Sequence, residues 1–293
     1  MQIIFGRHNI IIINHACATN IEPKNPCAWN YKGYAHLALK KYDEALRDFD
    51  KAIETRPDLG DSWNYKGISI LYSLKETSRA IECFDKAIEI YESAIDFDKP
   101  RETEGHLLAT ACNYKGYALN SEGKYNEAKE YFNRAIKINP EFADAWDNKG
   151  VCFGNDGMYD KAVECFGEAI KILENNKEPS LDRKRDLANI YRKKAFAHGK
   201  RSEYDRAKEC FDKSIEIYES IRNFDKDIDI DFAYALNSRG YYFILYSPEE
   251  YDKAKECFDK AIRVGPNNFL YPWYNKGYLF TKIHFYTCLC NLT

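Results

Sequence analysis

Four aspartates alternate at Asp225, Asp227, Asp229 and Asp231, and oxygen donors at every second residue are how a calcium loop begins. Such a loop also needs glycine at its sixth place, for the sharp turn, and a bidentate glutamate at its twelfth. Ile230 and Leu236 stand there, so the run reads as a charged loop and helix start. His8, His15 and Cys17 lie at ragged spacing in an N-terminal tail, and no C-x2-C pair occurs, so no zinc site is expected. Cys288 and Cys290 form only a C-x-C. The chain also lacks G-x4-G-K-[ST], G-x-G-x2-G, G-x-S-x-G and H-E-x2-H, which cradle phosphates, raise a nucleophile or hold zinc. No catalytic residue, metal or cofactor is expected, and the protein is read as a non-enzyme.

One chemical feature does recur. A cation precedes a small residue seven times, at Lys32, Lys66, Lys115, Lys149, Lys194, Arg239 and Lys276, the small residue being glycine except at Ala195. Aspartates follow a phenylalanine at Asp50, Asp85, Asp212 and Asp259, whereas Asn133 and Gly167 occupy the corresponding places. The ladder is expected to form structural salt bridges, its stems packed and its charges reaching carboxylates; an anion-binding stripe is the alternative.

A ladder of this regularity implies a repeated element. In WNYKGYAHLALKKYDEALRDFDKAIETRP (29–57), Trp29, Gly33, Ala45, Phe49, Ala52 and Pro57 are separated by 4, 12, 4, 3 and 5 residues. Ala35 and Leu39, then Ala45, Phe49, Ala52 and Ile53, recur at helical spacing on either side of the polar Lys40-Lys41-Tyr42-Asp43. The unit is therefore a helix, a short turn and a second helix. Its spacing resembles the tetratricopeptide repeat, with its W-x2-L-G…A-x3-F…P frame and 34-residue period. The resemblance implies an all-α superhelical solenoid of antiparallel helix pairs over 26–286. It contains repeats at about 26–59, 60–96, 106–140, 143–176, 183–223 and 230–268, with a truncated seventh at 270–286. Residues 1–25 read as a non-repeat extension and 287–293 as a tail. Glycine at the eighth place and alanine at the twentieth let the two helices approach, and phenylalanine at the twenty-fourth is expected between one repeat and the next. Three junctions carry extra residues, and the apolar stripe continues through them at Ile88, Tyr91 and Ile95 and at Ile215, Tyr218 and Ile221. Those repeats should be taller, with about four more residues, or ~6 Å, per helix.

In this family the first helices line a groove that takes a peptide. The places that usually face it hold Asn30, Tyr31 and Tyr34; Asn64, Tyr65, Ile68 and Tyr72; Asn113, Tyr114 and Tyr117; and, further on, Arg192, Lys193 and Phe196. Amides bond peptide backbone and phenol rings supply apolar area. Asparagine here stands mostly at the fifth place, one residue before the family's asparagine ladder and about 100° around the helix. The family's clamp for a C-terminal carboxylate is absent, since Asn30, Tyr34, Thr110 and Tyr114 occupy its places. His36 and His198 share the eleventh place and read as packed histidines.

With 45% hydrophobic residues the chain can bury a large core, and a net charge of −3 gives no field for nucleic acid or anionic lipid. The apolar run at 10–13 is too short for a secretory or membrane segment. Of ten cysteines, Cys83, Cys165, Cys210 and Cys257 each precede the phenylalanine of a second helix. They are expected as small buried hydrophobes in a reducing cytoplasm. The function implied is a scaffold for a protein or peptide partner, with no nucleic acid and no membrane. The rival readings are a regulatory or sensor partner of a separately encoded enzyme, and a self-assembling repeat protein. Self-association is expected at the C-terminal end, where Phe280, Ile283, Phe285, Tyr286, Cys288, Leu289 and Cys290 leave an apolar helix without a following partner.

Overall fold

Every regular element is an α-helix in the computed structural model, which describes residues 24–73, 76–94, 102–175, 179–223, 228–247 and 250–290. His8, His15, Cys17, Ile95, Asp225 and Asp227, and the side chains of Phe285, Tyr286, Cys288, Leu289 and Cys290, lie outside what is described. The helices are α1 (Pro26–Ala38), α2 (Tyr42–Thr55), α3 (Gly60–Ser73), α4 (Thr77–Ala94), α5 (Glu102–Ser121), α6 (Tyr125–Ile138) and α7 (Ala143–Asn155). They continue as α8 (Tyr159–Glu174), α9 (Leu181–Lys200), α10 (Tyr204–Ile221), α11 (Asp229–Tyr246), α12 (Tyr251–Val264) and α13 (Tyr271–Cys290). The chain divides into two compact units, Met1–Asp156 and Gly157–Thr293.

Local chemistry sets the helix ends. Asn25 caps α1 by accepting from the amides of Cys27 (3.0 Å) and Ala28 (3.3 Å), with Pro26 in the first turn, where its missing N–H costs nothing. A left-handed residue stands two places before the first residue of α2, α6, α8 and α10: Lys40, Gly123, Gly157 and Ser202 have φ of 59°, 76°, 76° and 60°. Glycine adopts that conformation without the Cβ clash that Lys40 and Ser202 bear. Among the described residues, the helices flanking the long junctions are extended, as expected. α4, α10 and α11 have 18 residues and α5 and α9 have 20, against 14 in α2 and α6.

In the first unit, α1, α3, α5 and α7 touch in sequence as one layer, and α2, α4 and α6 pack behind them. In the second unit, α9, α11 and α13 form the corresponding layer, packed with α8, α10 and α12. Phenylalanine stands between one repeat and the next at Phe49 and Phe84, as expected, and also closes its own helix pair. Four phenylalanines lie on the glycine of their own repeat: a Cβ on Gly33, Gly67, Gly116 or Gly240 would stand only 2.6, 2.7, 2.8 or 2.7 Å from Phe49, Phe84, Phe132 or Phe258. All four rings are fully buried. The next repeat then adds a tyrosine on the outer side: Tyr65 stacks on Phe49 at 5.9 Å and Tyr114 on Phe84 at 6.0 Å.

Successive repeats are also joined by polar links in a common register. The indole N–H of Trp63 donates to the Pro57 carbonyl (2.8 Å), and that of Trp146 to Pro140 (3.1 Å). The cationic ladder forms salt bridges to the aspartate of the preceding repeat: Lys66 to Asp50 (2.6 Å), Lys115 to Asp85, Arg239 to Asp212 and Lys276 to Asp259. Lys32 reaches Asp48 of its own pair at 3.2 Å. Where Asn133 replaces the aspartate, Lys149 lies 5.0 Å from the centre of the Trp146 ring. Where Gly167 does, the Lys194 ammonium stands 3.7 Å from where a Cβ would be.

Candidate functional site

The layer of first helices in the first unit carries tyrosines at the sixth, ninth and thirteenth places of its repeats. Tyr31, Tyr34, Tyr72 and Tyr117 are exposed, at 56, 47, 50 and 39% of their surface. Tyr65 and Tyr114 are half-buried beneath them, held by the phenylalanine stacks described above. Tyr34 leans on Tyr65 at 5.2 Å, and Tyr72 stacks on Tyr42 at 5.7 Å. Two of these rings are thus rooted in the core and four are open to water.

Burial, then Asp61, Tyr34 and Tyr31, push the Tyr65 phenol up to about 12. Tyr72 is raised by burial and by Tyr117, Tyr42 and Asp144. Tyr114 is raised by burial and by Tyr72, Asp144, Tyr65 and Tyr117. Tyr65, Tyr72 and Tyr114 therefore stay neutral at physiological pH and serve as donors and apolar faces. Asp61 is fixed by the Tyr91 hydroxyl, which donates to it at 2.6 Å.

The expected amides do not share this patch. Asn30, Asn64 and Asn113 are buried, at 6, 0 and 3% exposure, and Ile68 is buried at 5%. The fifth place points at the neighbouring first helix, so its amides bond across repeats. Ser62 donates to Asn30 (2.8 Å), Asn148 to Asn113 (3.1 Å) and, in the second unit, Asn275 to Asn237 (2.9 Å). Neither amide atom of Asn64 finds a partner. Ala111 stands at the third place of the next repeat, where the preceding junction has Ser62. Ile68 belongs to the apolar cluster of Ile70, Leu71, Ala80 and Phe84.

Arg192, Lys193 and Phe196 lie on α9 in the second unit. Arg192 bonds Asn189 at 3.4 Å, Lys193 is half-buried, and Phe196 is 60% exposed with the Lys200 ammonium 5.3 Å from its ring centre. The two histidines are paired: His36 Nδ1 lies 2.7 Å from Asp48, and His198 Nδ1 lies 2.5 Å from Glu203. Among the described residues no cluster of His, Cys, Asp or Glu could hold a metal ion, and no helix is long and apolar enough to cross a membrane.

The second unit holds a feature that the sequence did not disclose. A cleft of about 540 Å³ opens between α11, the segment 265–270 and α13, lined by Ile230, Tyr234, Pro266, Phe269, Tyr271 and Tyr274. Tyr234 meets Phe269 edge-on at 4.6 Å. The signal available was the run Phe269-Leu270-Tyr271 just after Pro266. Beside it, α13 exposes Trp273, Tyr274 and Phe280 at 56, 77 and 51%, and Gly277 has no atom within 4 Å of where a Cβ would stand.

Residues 26–59 and 109–142, 61–93, and 131–164 match descriptions of the tetratricopeptide repeat. Over 137 residues the chain is 28% identical to Hsp70-Hsp90 organizing protein 1 of Glycine max, covering 39% of this chain and 24% of that one. Over 129 residues it is 26% identical to the mitochondrial import receptor subunit TOM70 of Homo sapiens, covering 44% and 20%. The chain thus spans a quarter or less of the length of these two curated relatives. Among solved structures, a chain of the APC/C hetero-tetramer Cut9-Hcn1 aligns over 94% of this chain and 46% of its own with a TM-score of 0.68 at 16% identity. PilF of Pseudomonas aeruginosa aligns over 85% and 96% with a TM-score of 0.58 at 18% identity. At these identities the structural likeness speaks for the fold.

Proposed function

Because the chain is a tetratricopeptide repeat protein, we propose that it is a non-enzymatic scaffold whose first unit holds a peptide or protein segment against the tyrosine patch. The observation that carries this reading is the exposure of Tyr31, Tyr34, Tyr72 and Tyr117 on adjoining first helices. A contiguous exposed aromatic patch marks an interaction surface, and tyrosine supplies contact area at small entropic cost. The names of the matching relatives, an organizing protein and an import receptor subunit, suit the same class of role. The contact is made by rings, with the buried asparagines holding the first helices in register. No disulfide joins the described cysteines, which supports a reducing compartment, the cytoplasm. Tyr34→Ala combined with Tyr117→Ala should weaken partner capture by more than about tenfold, a loss of roughly 1.4 kcal/mol, at unchanged helix content by circular dichroism. Undiminished capture by the double variant would move the site off this face.

A second reading is favoured by α13. Its exposed Trp273, Tyr274 and Phe280, continuous with exposed Leu270 and Tyr271, offer a second copy an apolar surface. Light scattering on a sizing column should then show a dimer or larger species. Trp273→Glu with Tyr274→Lys should return it to a monomer; a wild-type monomer at high concentration removes this reading.

A further inference from the structure

We propose that the first-helix face of the second unit binds an acidic protein segment. Two carboxylates of that segment pair with Lys200 and Lys282, and an apolar side chain between them rests on Tyr241 and Leu245. The inference concerns the second unit alone and goes beyond the tyrosine patch of the first.

Helical spacing sets the arrangement. Residues at the ninth and thirteenth places are four apart, so they lie one above the other on one side of a first helix. In α9, α11 and α13 these places hold Phe196 and Lys200, Tyr241 and Leu245, and Tyr278 and Lys282. Phe196, Lys200, Tyr241 and Leu245 are exposed, and Tyr278 and Lys282 are half-buried. The Lys200 ammonium lies 5.3 Å from the centre of the Phe196 ring, and that of Lys282 lies 5.6 Å from the centre of Tyr278. Each ammonium is thus steadied by a ring of its own helix, at the same place two repeats apart, with the apolar pair of α11 between them.

Charge decides the partner. The seventh-place cations of α11 and α13 are taken by second helices, Arg239 by Asp212 and Lys276 by Asp259. Lys200 and Lys282 lie against rings instead, and among the described residues neither joins a carboxylate. The last acidic residues of α9 and α11 are Asp186 and Asp231, about 21 Å of helix before the thirteenth place, and α13 has none. In the turns that follow, Glu203 is held by His198 and Arg201, and Glu250 by Lys208 and Lys253. An anion that reaches either ammonium therefore meets attraction without a competing carboxylate from the same helix, and a cationic ligand meets repulsion. Tyr241 and Leu245 add apolar area that a plain polyanion could not use.

The spacing of the ligand follows. Packed helices stand about 8–10 Å apart, so lysines two first helices apart are separated by about 16–20 Å. An extended chain advances 3.3–3.6 Å per residue, which sets the two carboxylates about five or six residues apart. Both lysines stand outside the places of the C-terminal carboxylate clamp, and the anions they take are side chains.

The test is fluorescence anisotropy with the full chain and labelled peptides of equal length on one neutral backbone. Each carries leucine midway between two positions at that spacing, and these positions hold glutamate, glutamine or lysine. A fourth peptide has its two glutamates adjacent, and a labelled oligothymidylate supplies a nucleic-acid backbone. The spaced glutamate peptide should bind about tenfold more tightly than the glutamine one, as two ion pairs to one ligand would give. The lysine peptide should bind weakest, and added salt should remove the difference. Lys200→Gln with Lys282→Gln should abolish the preference without weakening the glutamine peptide; glutamine is a good helix former, so the helices persist. Tyr34→Ala with Tyr117→Ala should leave the preference intact, so a failure here does not touch the docking reading of the first unit. The inference is overturned if the glutamine or lysine peptide matches the spaced glutamate one, or if adjacent glutamates bind as well as spaced ones. It is equally overturned if the lysine double variant keeps the preference, or if no peptide binds. Tighter binding of the oligothymidylate than of any peptide would assign the face to nucleic acid and overturn it as well.

Discussion

Gly67 and Gly277 occupy the same place in two repeats and should respond to alanine with opposite signs. A Cβ on Gly67 would lie 2.7, 2.9 and 3.0 Å from three atoms of the Phe84 ring, closer than carbon atoms approach without displacement. The ring cannot yield, since it is fully buried and Tyr114 stacks on its other side. Overpacking of this kind costs about 1–3 kcal/mol or more. Against it stands a helix-propensity gain of about 1 kcal/mol for replacing glycine by alanine. Gly277 shares the gain without the clash, because nothing lies within 4 Å of its added methyl. Gly67→Ala should therefore sit about 1–3 kcal/mol below Gly277→Ala relative to wild type, the common propensity term cancelling. For units of this size that is about 2–4 °C per kcal/mol in melting temperature. Thermal and urea unfolding followed by circular dichroism would measure it. A cycle with Phe84→Leu sharpens the assignment. Leucine lacks the ring edge, so Gly67→Ala should become neutral or stabilising in that background. The reasoning is refuted if Gly67→Ala melts at or above wild type, or if Phe84→Leu leaves its cost unchanged.

Three further outcomes are expected. Ala111→Ser should offer Asn64 the hydroxyl that Asn30 receives from Ser62, raising stability by about 1 kcal/mol in urea titrations; Ser62→Ala should lower it by about 1–3 kcal/mol. Lys40→Gly should stabilise the first pair by about 1 kcal/mol, because φ of 59° strains a residue with a Cβ, and hydrogen exchange of α1 and α2 would detect the slower opening. In ultraviolet titration, Tyr65 should ionise near 12, above an ordinary phenol. A phenol with a raised folded pKa contributes stability that is complete below about 10 and lost as pH climbs through the folded value, so alkaline unfolding should begin earlier in wild type than in Tyr65→Phe.

The repeat frame, the salt-bridge ladder and the burial of the ECF cysteines were legible in the sequence because each depends on register alone. Phe49 meets Gly33 in any helix pair with that spacing, and an aspartate after the phenylalanine reaches the lysine of the next repeat wherever it is present. The fate of the fifth-place asparagines was not legible. One residue, about 100° of rotation, separates a side chain that faces water from one that faces the next first helix. The deciding quantity is how closely those helices approach. Ile68 illustrates the same point: it shares the ninth place with exposed Tyr34 and Tyr117, yet its shorter apolar side chain is drawn into the cluster beneath. The aromatic cleft of the second unit joins Ile230 to Tyr274 across a loop and two helices, a conjunction that no periodic pattern encodes.

The cysteines give the protein a set of internal reporters. Cys83 lies in α4, Cys165 in α8, Cys210 in α10 and Cys257 in α12, all buried thiols outside any disulfide. Burial pushes the Cys83 thiol up to about 11 and raises Cys210 and Cys257 as well. Such a thiol is invisible to an alkylating reagent until its helix lifts away, because it is both out of reach and protonated. Cys27 is exposed and marks the uninhibited reaction. Stacks of repeats open segment by segment rather than all at once. The order in which these sulfurs acquire label would therefore time the opening of those four second helices in the native protein, without introducing a probe.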